Sequence, residues 1–153
     1  MQRIYIKKGN KMPYYRVWGH TVYDCRYHLV WITKYRKRWI HPKLQPMLEW
    51  ILRDIREEMF VKILNVGFEE DHVHMYLSVP LATGHIPEVV QKLKWTSSKI
   101  LWEKKELEEY FKKFYRKEWV GKRARWYFIC TVWEINDQLV MKYIDEQWQI
   151  PAL

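Results

Sequence analysis

The sequence predicts an α+β fold, a ferredoxin-like sandwich in which helices cover one face of an antiparallel sheet and a further helix follows at the C-terminus. Three observations lead to this prediction. The chain has 153 residues, 48% of them hydrophobic, which suits one globular domain with a full core. Strand-like and helix-like stretches follow each other in the order β-α-β-β-α-β-α. Two strand-like stretches are separated only by a short acidic link, which indicates an antiparallel hairpin.

The first predicted elements are a strand, a basic loop and a helix. Residues 21–33 are β-branched and aromatic with partial alternation, which predicts one long strand. Apolar side chains recur at helical spacing through residues 43–59, so this stretch, with Pro42 and Pro46 near its start, is predicted to form an amphipathic helix. The loop between the two is basic and aromatic, and consists of Lys34, Tyr35, Arg36, Lys37, Arg38 and Trp39.

A hairpin and a second helix are predicted next. Residues 61–68 and 72–80 are expected to be its strands, joined by the acidic link at residues 69–71. Residues 86–101 repeat apolar side chains every three to four positions, which predicts a second amphipathic helix. Three lysines lie off its apolar stripe: Lys92, Lys94 and Lys99.

The C-terminal part supplies the last strand and the last helix. Residues 102–118 are charged and aromatic, and predict either a helical extension or a long loop. Residues 126–133 predict the final strand of the sheet. A short helix is expected to begin near Asn136 or Asp137, because either side chain can cap a helix N-terminus.

Composition and charge limit the classes of function. We divide the chain into a basic N-terminal extension, residues 1–18, and a single domain, residues 19–150. A net charge of +9 suits a polyanionic partner, because distributed positive charge favours phosphate neutralisation. Cys25 and Cys130 lack the spacing of a zinc site and are expected to be buried free thiols. Neither a signal peptide nor a membrane span is recognisable, so a cytoplasmic location is predicted.

A pair of histidines is the first candidate for chemistry. Phosphate loops, dinucleotide-binding loops, zincin motifs and nucleophile elbows are absent from the sequence. His72 and His74 begin a predicted strand, and because side chains alternate faces, both imidazoles are expected on the same side. Two nitrogen donors on one face are half of a divalent metal site. The alternative is a pair of half-exposed histidines without a ligand role.

The predicted C-terminal helix carries the second candidate pair. Tyr143 and Gln147 are four residues apart and therefore lie on the same helix face. The neighbouring apolar stripe would dock the helix on the protein: Val140, Ile144 and Trp148. A tyrosine oxygen and an amide oxygen at the edge of that stripe could both reach a metal site. The alternative is a packed tyrosine with a glutamine at its rim.

Several of these stretches together resemble one family, the single-tyrosine HUH transposases of the insertion-sequence 200/605 class. The resemblance runs from about Val22 to Gln147. It implies that His72, His74 and Gln147 bind a Mg²⁺ or Mn²⁺ ion and that Tyr143, on a catalytic C-terminal helix, is the nucleophile. The blocks that carry it are Tyr27 to Arg36, Asp71 to Met75, Lys94 to Ser98, Tyr127-Phe128 and Tyr143 to Gln147.

The resemblance also implies a substrate and an assembly. The protein would be a homodimer that binds single-stranded DNA with hairpins near the ends of an element, and would cut and rejoin strands through a 5′-phosphotyrosine. The helix that carries Tyr143 would complete the active site of its own subunit or of the partner. No membrane is implied. The residues predicted to contact DNA are Lys34, Tyr35, Arg36, Lys37, Arg38, Lys94, Ser97, Ser98 and Arg123.

Two rival functions fit the same pattern. One is a module without catalysis, either an RNA-recognition-like (RRM-like) sheet that stacks bases on aromatic side chains or a domesticated relative that only binds hairpins. The other is a relaxase or replication-initiator nuclease with a His-x-His pair, although such chains are usually larger. The simultaneous presence of His72, His74, Tyr143 and Gln147 favours the transposase.

Overall fold

The computed structural model describes residues 4–5, 15–57, 59–83, 85–115 and 123–131. A four-stranded antiparallel sheet forms the centre of this part of the chain, in the order β5-β6-β4-β7. A small three-stranded sheet precedes it in the chain, in the order β1-β2-β3. The strands are β1 (Ile4–Tyr5), β2 (Tyr15–Trp18), β3 (Thr21–Tyr23), β4 (Arg26–Thr33), β5 (Lys62–Phe68), β6 (His72–Ser78) and β7 (Arg123–Thr131).

The helices cover one face of the four-stranded sheet. They are α1 (Gln45–Glu57), α2 (Ile86–Glu103) and a short α3 (Glu108–Lys112), which follows a 3₁₀ turn at Lys105–Leu107. The two long helices begin and end close to the predicted bounds because their apolar side chains recur at helical spacing. With β4, β5, β6 and β7 they give a β-α-β-β-α-β order, so the ferredoxin-like α+β prediction is confirmed.

Alternation along β4 and β6 separates the core from the opposite face of the sheet. Leu29 and Trp31 of β4 join Met75 and Leu77 of β6 in the apolar core beneath α1 and α2. The residues that alternate with them along the strands, such as His28 and Val30, therefore lie on the other face. Cys25 and Cys130 are half-buried free thiols rather than fully buried ones.

The predicted long strand over residues 21–33 is two strands in two different sheets. Asp24 and Cys25 separate β3 from β4, and β3 pairs with β2 instead of continuing along the central sheet. Asp24 is a poor strand former, and its carboxylate accepts bonds of 2.7 and 2.6 Å from Arg26. Val22 is also exposed, so the alternation before Asp24 buries no common face.

A buried arginine joins the small sheet to the central one. Arg16 of β2 is buried, and its guanidinium donates to the backbone oxygens of Ser78, at 3.1 Å, and Phe60, at 3.2 Å. β2 lies within the predicted N-terminal extension and pairs with β3 beyond residue 18. The boundary itself stays a prediction. Within the described residues, no helix is both long and apolar enough to cross a membrane.

Candidate active site

The two predicted histidine ligands lie side by side at the start of β6. His72 and His74 are two residues apart on this strand, and their ring centroids are 4.7 Å apart with the ring planes at 66°. They share the sheet face opposite the helices, because Val73 between them packs into the core. The short acidic turn before β6 and the pairing of β6 with β4 hold this part of the strand in place.

The ring of His72 is oriented by a hydrogen bond to its neighbour Asp71. Its side chain is 4% exposed, and its Nδ1 donates to Asp71 Oδ1 at 2.7 Å. A neutral imidazole that donates through Nδ1 keeps the lone pair on Nε2. Nε2 is buried and has no hydrogen-bond partner among the described residues. A buried polar atom without a partner is costly, so this nitrogen suits a ligand such as a metal ion.

Asp71 links His72 to the basic loop. Arg36 Nε donates to Asp71 Oδ2 at 2.8 Å, while the backbone oxygen of Asp71 accepts from Thr33 at 2.8 Å. Burial by itself would raise the pKa of Asp71, but hydrogen bonds from His72 and Arg36 outweigh it and the pKa is lowered. The carboxylate therefore stays ionised and accepts from both neighbours, an arrangement common behind metal-bound histidines.

His74 contacts a third histidine that the sequence reasoning did not assign to the site. His28 lies on β4 and its Nε2 is 3.3 Å from His74 Nδ1. His28 was inside a motif block, but its role depends on which residues of β6 it faces. That register is set by strand pairing and has no local sequence signal. Alternation along β4 was the available hint, since it separates His28 from Leu29 and Trp31.

The histidine pair alone could supply only part of a metal site. Within the described ranges, no three His, Cys, Asp or Glu side chains are grouped so that they could hold a metal ion. The predicted third ligand, Gln147, and the predicted nucleophile, Tyr143, lie outside the described residues. Two neutral imidazole donors leave the charge of a divalent cation uncompensated, so it would attract a phosphate oxygen strongly. Mg²⁺ and Mn²⁺ also prefer oxygen atoms at their remaining positions.

Most residues of the predicted DNA-binding loop are exposed, but one of them is hydrogen-bonded within the protein. Lys34, Tyr35 and Arg36 form a 3₁₀ turn, in which Tyr35 has a positive φ of 58°. Tyr35 is 60% exposed, with Lys34 Nζ 5.2 Å from its ring centroid. Lys37 and Arg38 are also exposed. Arg36 instead donates to Asp71, so the turn presents its other residues to solvent beside the histidine pair.

Two residues of α2 predicted to contact DNA are inside the fold. Lys94 is 2% exposed, and its ammonium donates to the backbone oxygens of Arg125, at 3.1 Å, and Trp126, at 2.9 Å. Ser97 is buried and donates to the backbone oxygen of Leu93 at 2.6 Å. Lys94 follows Val90 by four residues and precedes Ser97 by three, so it lies on the same buried face of α2 and not off the apolar stripe.

The other two predicted DNA contacts are placed differently. Ser98 is half-buried on α2, one position beyond Ser97. Arg123 begins β7, where its backbone is paired with Thr33 at the end of β4. Its position at the end of the strand next to the basic loop keeps the prediction open, while the prediction for Lys94 and Ser97 finds no support in their burial.

The chain matches known transposases over most of its length. Residues 21–147 match the family model described as "Transposase IS200 like". The chain is 31% identical over 129 residues to the ISDra2 transposase TnpA of Deinococcus radiodurans, covering 82% of this chain and 86% of that protein. It is 32% identical over 130 residues to the transposase for insertion sequence element IS200 of Salmonella typhimurium, covering 84% of this chain and 80% of that protein.

Two solved structures are similar to this fold. A crystal structure assigned to a transposase from Deinococcus radiodurans has a TM-score of 0.72 and 27% identity, covering 93% of this chain and 98% of that one. A REP-associated tyrosine transposase bound to a REP hairpin has a TM-score of 0.52 and 8% identity, covering 87% of this chain and 74% of that one. The second likeness concerns the fold alone.

Proposed function

The chain belongs to the IS200-like transposase family, and from this premise we propose that it cuts and rejoins single-stranded DNA at hairpins near the ends of a mobile element. Strand exchange proceeds through a 5′-phosphotyrosine on Tyr143. His72, His74 and Gln147 would hold a Mg²⁺ or Mn²⁺ ion, which would neutralise charge at the phosphate. The family match extends to residue 147 and therefore includes both predicted residues of the C-terminal part.

One observation carries the proposal, the unsatisfied nitrogen of His72. Leaving a buried polar atom without a hydrogen bond costs about 1–3 kcal/mol. His72 Nε2 has no partner among the described residues, although Asp71 and Arg36 form an ordered hydrogen-bonded chain behind it. A purely structural histidine would gain nothing from that arrangement. A metal ligand would gain both a fixed ring orientation and a more basic nitrogen.

The proposed cleavage step is a transesterification. The hydroxyl oxygen of Tyr143 attacks the phosphorus, an O–P bond forms, and the bond from phosphorus to the 3′ oxygen breaks. The departing oxygen takes up a proton and becomes a free 3′-hydroxyl, while the tyrosine hydroxyl loses one. Since one phosphoester replaces another, rejoining to a new 3′-hydroxyl needs no nucleotide cofactor. This agrees with a sequence that has no nucleotide-binding motif.

The exposed part of the basic loop is proposed to hold the DNA strand. Lys37 and Arg38 would contact phosphates, and Tyr35 offers a ring on which a base can stack. The Arg36–Asp71–His72 chain of hydrogen bonds attaches this loop to the histidine pair, so a strand bound by the loop would run next to the site. The net charge of +9 predicts that binding weakens steeply as salt increases.

We expect a homodimer, because one domain with a single nucleophilic tyrosine needs a second copy to process two element ends. Mixing Tyr143→Phe and His72→Ala chains tests how the two sites are built. If the tyrosine reaches the partner's histidines, the mixed dimer regains one complete site and forms an adduct. If each site belongs to one chain, the mixture stays inactive. Sedimentation of the wild-type protein tests the dimer itself.

The decisive experiment follows the two ends of a labelled DNA strand. The probe is a pool of single-stranded oligonucleotides in which a hairpin is flanked by randomised sequence, incubated with protein and Mn²⁺. We expect a 3′ label to migrate with the protein on a denaturing gel, because the downstream piece retains the 5′-phosphotyrosine. A 5′ label should appear on a shorter, free strand with a 3′-hydroxyl. Label transfer in the opposite sense would contradict the proposed linkage.

Matched variants distinguish the loss of the nucleophile or of a metal ligand from a general effect on the fold. Tyr143→Phe is expected to abolish the adduct, while Tyr110→Phe, which removes a hydroxyl bonded to Trp39, should keep it. His72→Ala should lose cleavage and keep most hairpin binding, because distributed phosphate contacts remain. Hairpin binding by wild type without any adduct under Mn²⁺ would indicate the non-catalytic module instead.

A further inference from the structure

We propose that His28 is a positioning residue for the metal site: it accepts a hydrogen bond from His74 Nδ1 and so directs the lone pair of His74 Nε2 to the metal. The inference deepens the proposed function and depends on it. It concerns a side chain on a different strand from the two ligands. His28 Nε2 lies 3.3 Å from His74 Nδ1.

Strand register brings the two histidines together. In the pairing of β4 with β6, His28 lies opposite Tyr76 and Val30 lies opposite His74. His28 and His74 are therefore diagonal neighbours on the same face of the sheet, within reach of long or aromatic side chains. The His28 ring stacks against Tyr76, with centroids 4.8 Å apart and planes at 7°. The His28 and His74 rings are nearly parallel, at 16°, with centroids 5.5 Å apart.

The contact determines which nitrogen of His74 remains for a ligand. Because Nδ1 of His74 faces His28 Nε2 at 3.3 Å, a metal ion bound by His74 would be bound through Nε2. A neutral imidazole that binds through Nε2 carries its proton on Nδ1. That proton must then be donated to His28 Nε2, which acts as the acceptor. His28 consequently carries its own proton on Nδ1.

The two proposed ligands are thus oriented alike by different acceptors. Asp71 accepts from His72, and His28 accepts from His74, so both ligands present Nε2. The charge of the Asp71 carboxylate is balanced by Arg36, at 2.8 Å, and His28 adds no charge. The immediate surroundings of the pair therefore remain close to neutral, which preserves the attraction between a bound cation and a phosphate.

Burial supports a specific role for the His28 imidazole. Its side chain is 1% exposed and stands next to the equally buried Val30 on the same face of β4. An aliphatic residue at this position would bury apolar surface without the cost of desolvating two ring nitrogens. The contact with His74 gives a reason for a polar ring there. The parallel stack on Tyr76 holds that ring in the required plane.

Three substitutions at His28 test the proposal in Mn²⁺ titrations by calorimetry without DNA. His28→Phe keeps a flat ring on Tyr76 and removes the acceptor, and we expect Mn²⁺ affinity to fall about 10- to 100-fold. His28→Gln places an amide oxygen near the former Nε2 position and should retain most of the affinity. His28→Asn is equally polar but too short to reach His74, so it should resemble the phenylalanine variant.

Ring nitrogen NMR provides a second readout that needs no metal. Wild-type His74 is expected to carry its proton on Nδ1, and the Phe and Asn variants to show a mixture of the two tautomers. Equal affinity and equal tautomers in the Gln and Asn variants would overturn the inference, even if the phenylalanine variant folds poorly. If His72→Ala binds Mn²⁺ as tightly as wild type does, the proposed metal site is refuted instead. This result differs from the one that overturns the role of His28, so the two failures can be told apart.

Discussion

Replacing Lys94 with methionine separates two roles that the sequence does not distinguish, a DNA contact and a structural anchor. In the structure, its buried ammonium donates to two backbone oxygens of β7 and lies 5.2 Å from the ring centroid of Tyr127. Methionine preserves the length and the apolar stem of the side chain but removes the charge and the donors. We therefore expect Lys94→Met to loosen the attachment of β7 to α2 while leaving the outer surface unchanged.

The expected magnitude follows from opposing contributions. Each hydrogen bond from a charged donor contributes about 1.5–3 kcal/mol, and a desolvated cation–π contact adds about 2 kcal/mol or more. Burying an ammonium group costs several kcal/mol in the opposite direction. Because the substitution leaves the carbonyl groups of Arg125 and Trp126 without their donor, we expect a net loss of about 2–3 kcal/mol. For a domain of this size, the melting temperature would fall by about 5–10 °C.

Two measurements decide between the roles. Thermal and urea unfolding give the loss of stability, with Lys99→Met as the control, because Lys99 is exposed on the same helix and should change stability by less than about 0.5 kcal/mol. Hairpin affinity measured against salt concentration gives the number of phosphate contacts. An unchanged melting temperature together with a salt slope smaller by about one would refute the anchoring role and restore the DNA contact.

Two further predictions concern other buried hydrogen bonds. Asp71→Asn should weaken Mn²⁺ binding about 10- to 100-fold in calorimetry, because it removes the anionic acceptor behind His72. The control is Glu70→Gln, at an exposed neighbouring residue, which should bind Mn²⁺ normally. Equal affinities of the two variants would contradict the role of Asp71. Burial raises the pKa of Tyr115 to about 12, although the hydrogen bond from Trp39 opposes the shift. Since the unfolded tyrosine ionises near pH 10, the folded state should lose up to about 2 kcal/mol between pH 10 and 12. Urea unfolding of Tyr115→Phe should show a weaker decrease over that range, and an identical pH dependence would contradict this assignment.

Local patterns predicted most of the central fold. Helical spacing identified α1 and α2, and the acidic link between two strand-like stretches identified the β5–β6 hairpin, because both signals come from neighbours in sequence. The break at Asp24 and Cys25 was missed, since two consecutive strands in different sheets have the same residue composition as one long strand. The predicted C-terminal helix lies outside the described residues.

For the functional residues too, the sequence predicted what depends on neighbouring residues and missed what depends on tertiary contacts. Alternation within one strand was enough to expect His72 and His74 on a common face. It did not reveal that Asp71 accepts from His72, that Arg36 is bound to Asp71, or that Lys94 is covered by β7. Charge and motif position alone also did not indicate that Lys94 and Ser97 are buried.

The order of the central elements from β4 to β7, the family and the spacing of the histidine pair can be read without coordinates, because each depends on residues close in sequence or on matching motifs. The surroundings of that pair depend on partners 46 and 35 positions apart in the chain, His28 with His74 and Arg36 with Asp71. Such contacts arise from strand register and from the docking of a loop on a turn. Those are set by the packing of the whole sheet against its helices, so the tertiary structure alone turns two histidines into an oriented pair of metal ligands in our proposal.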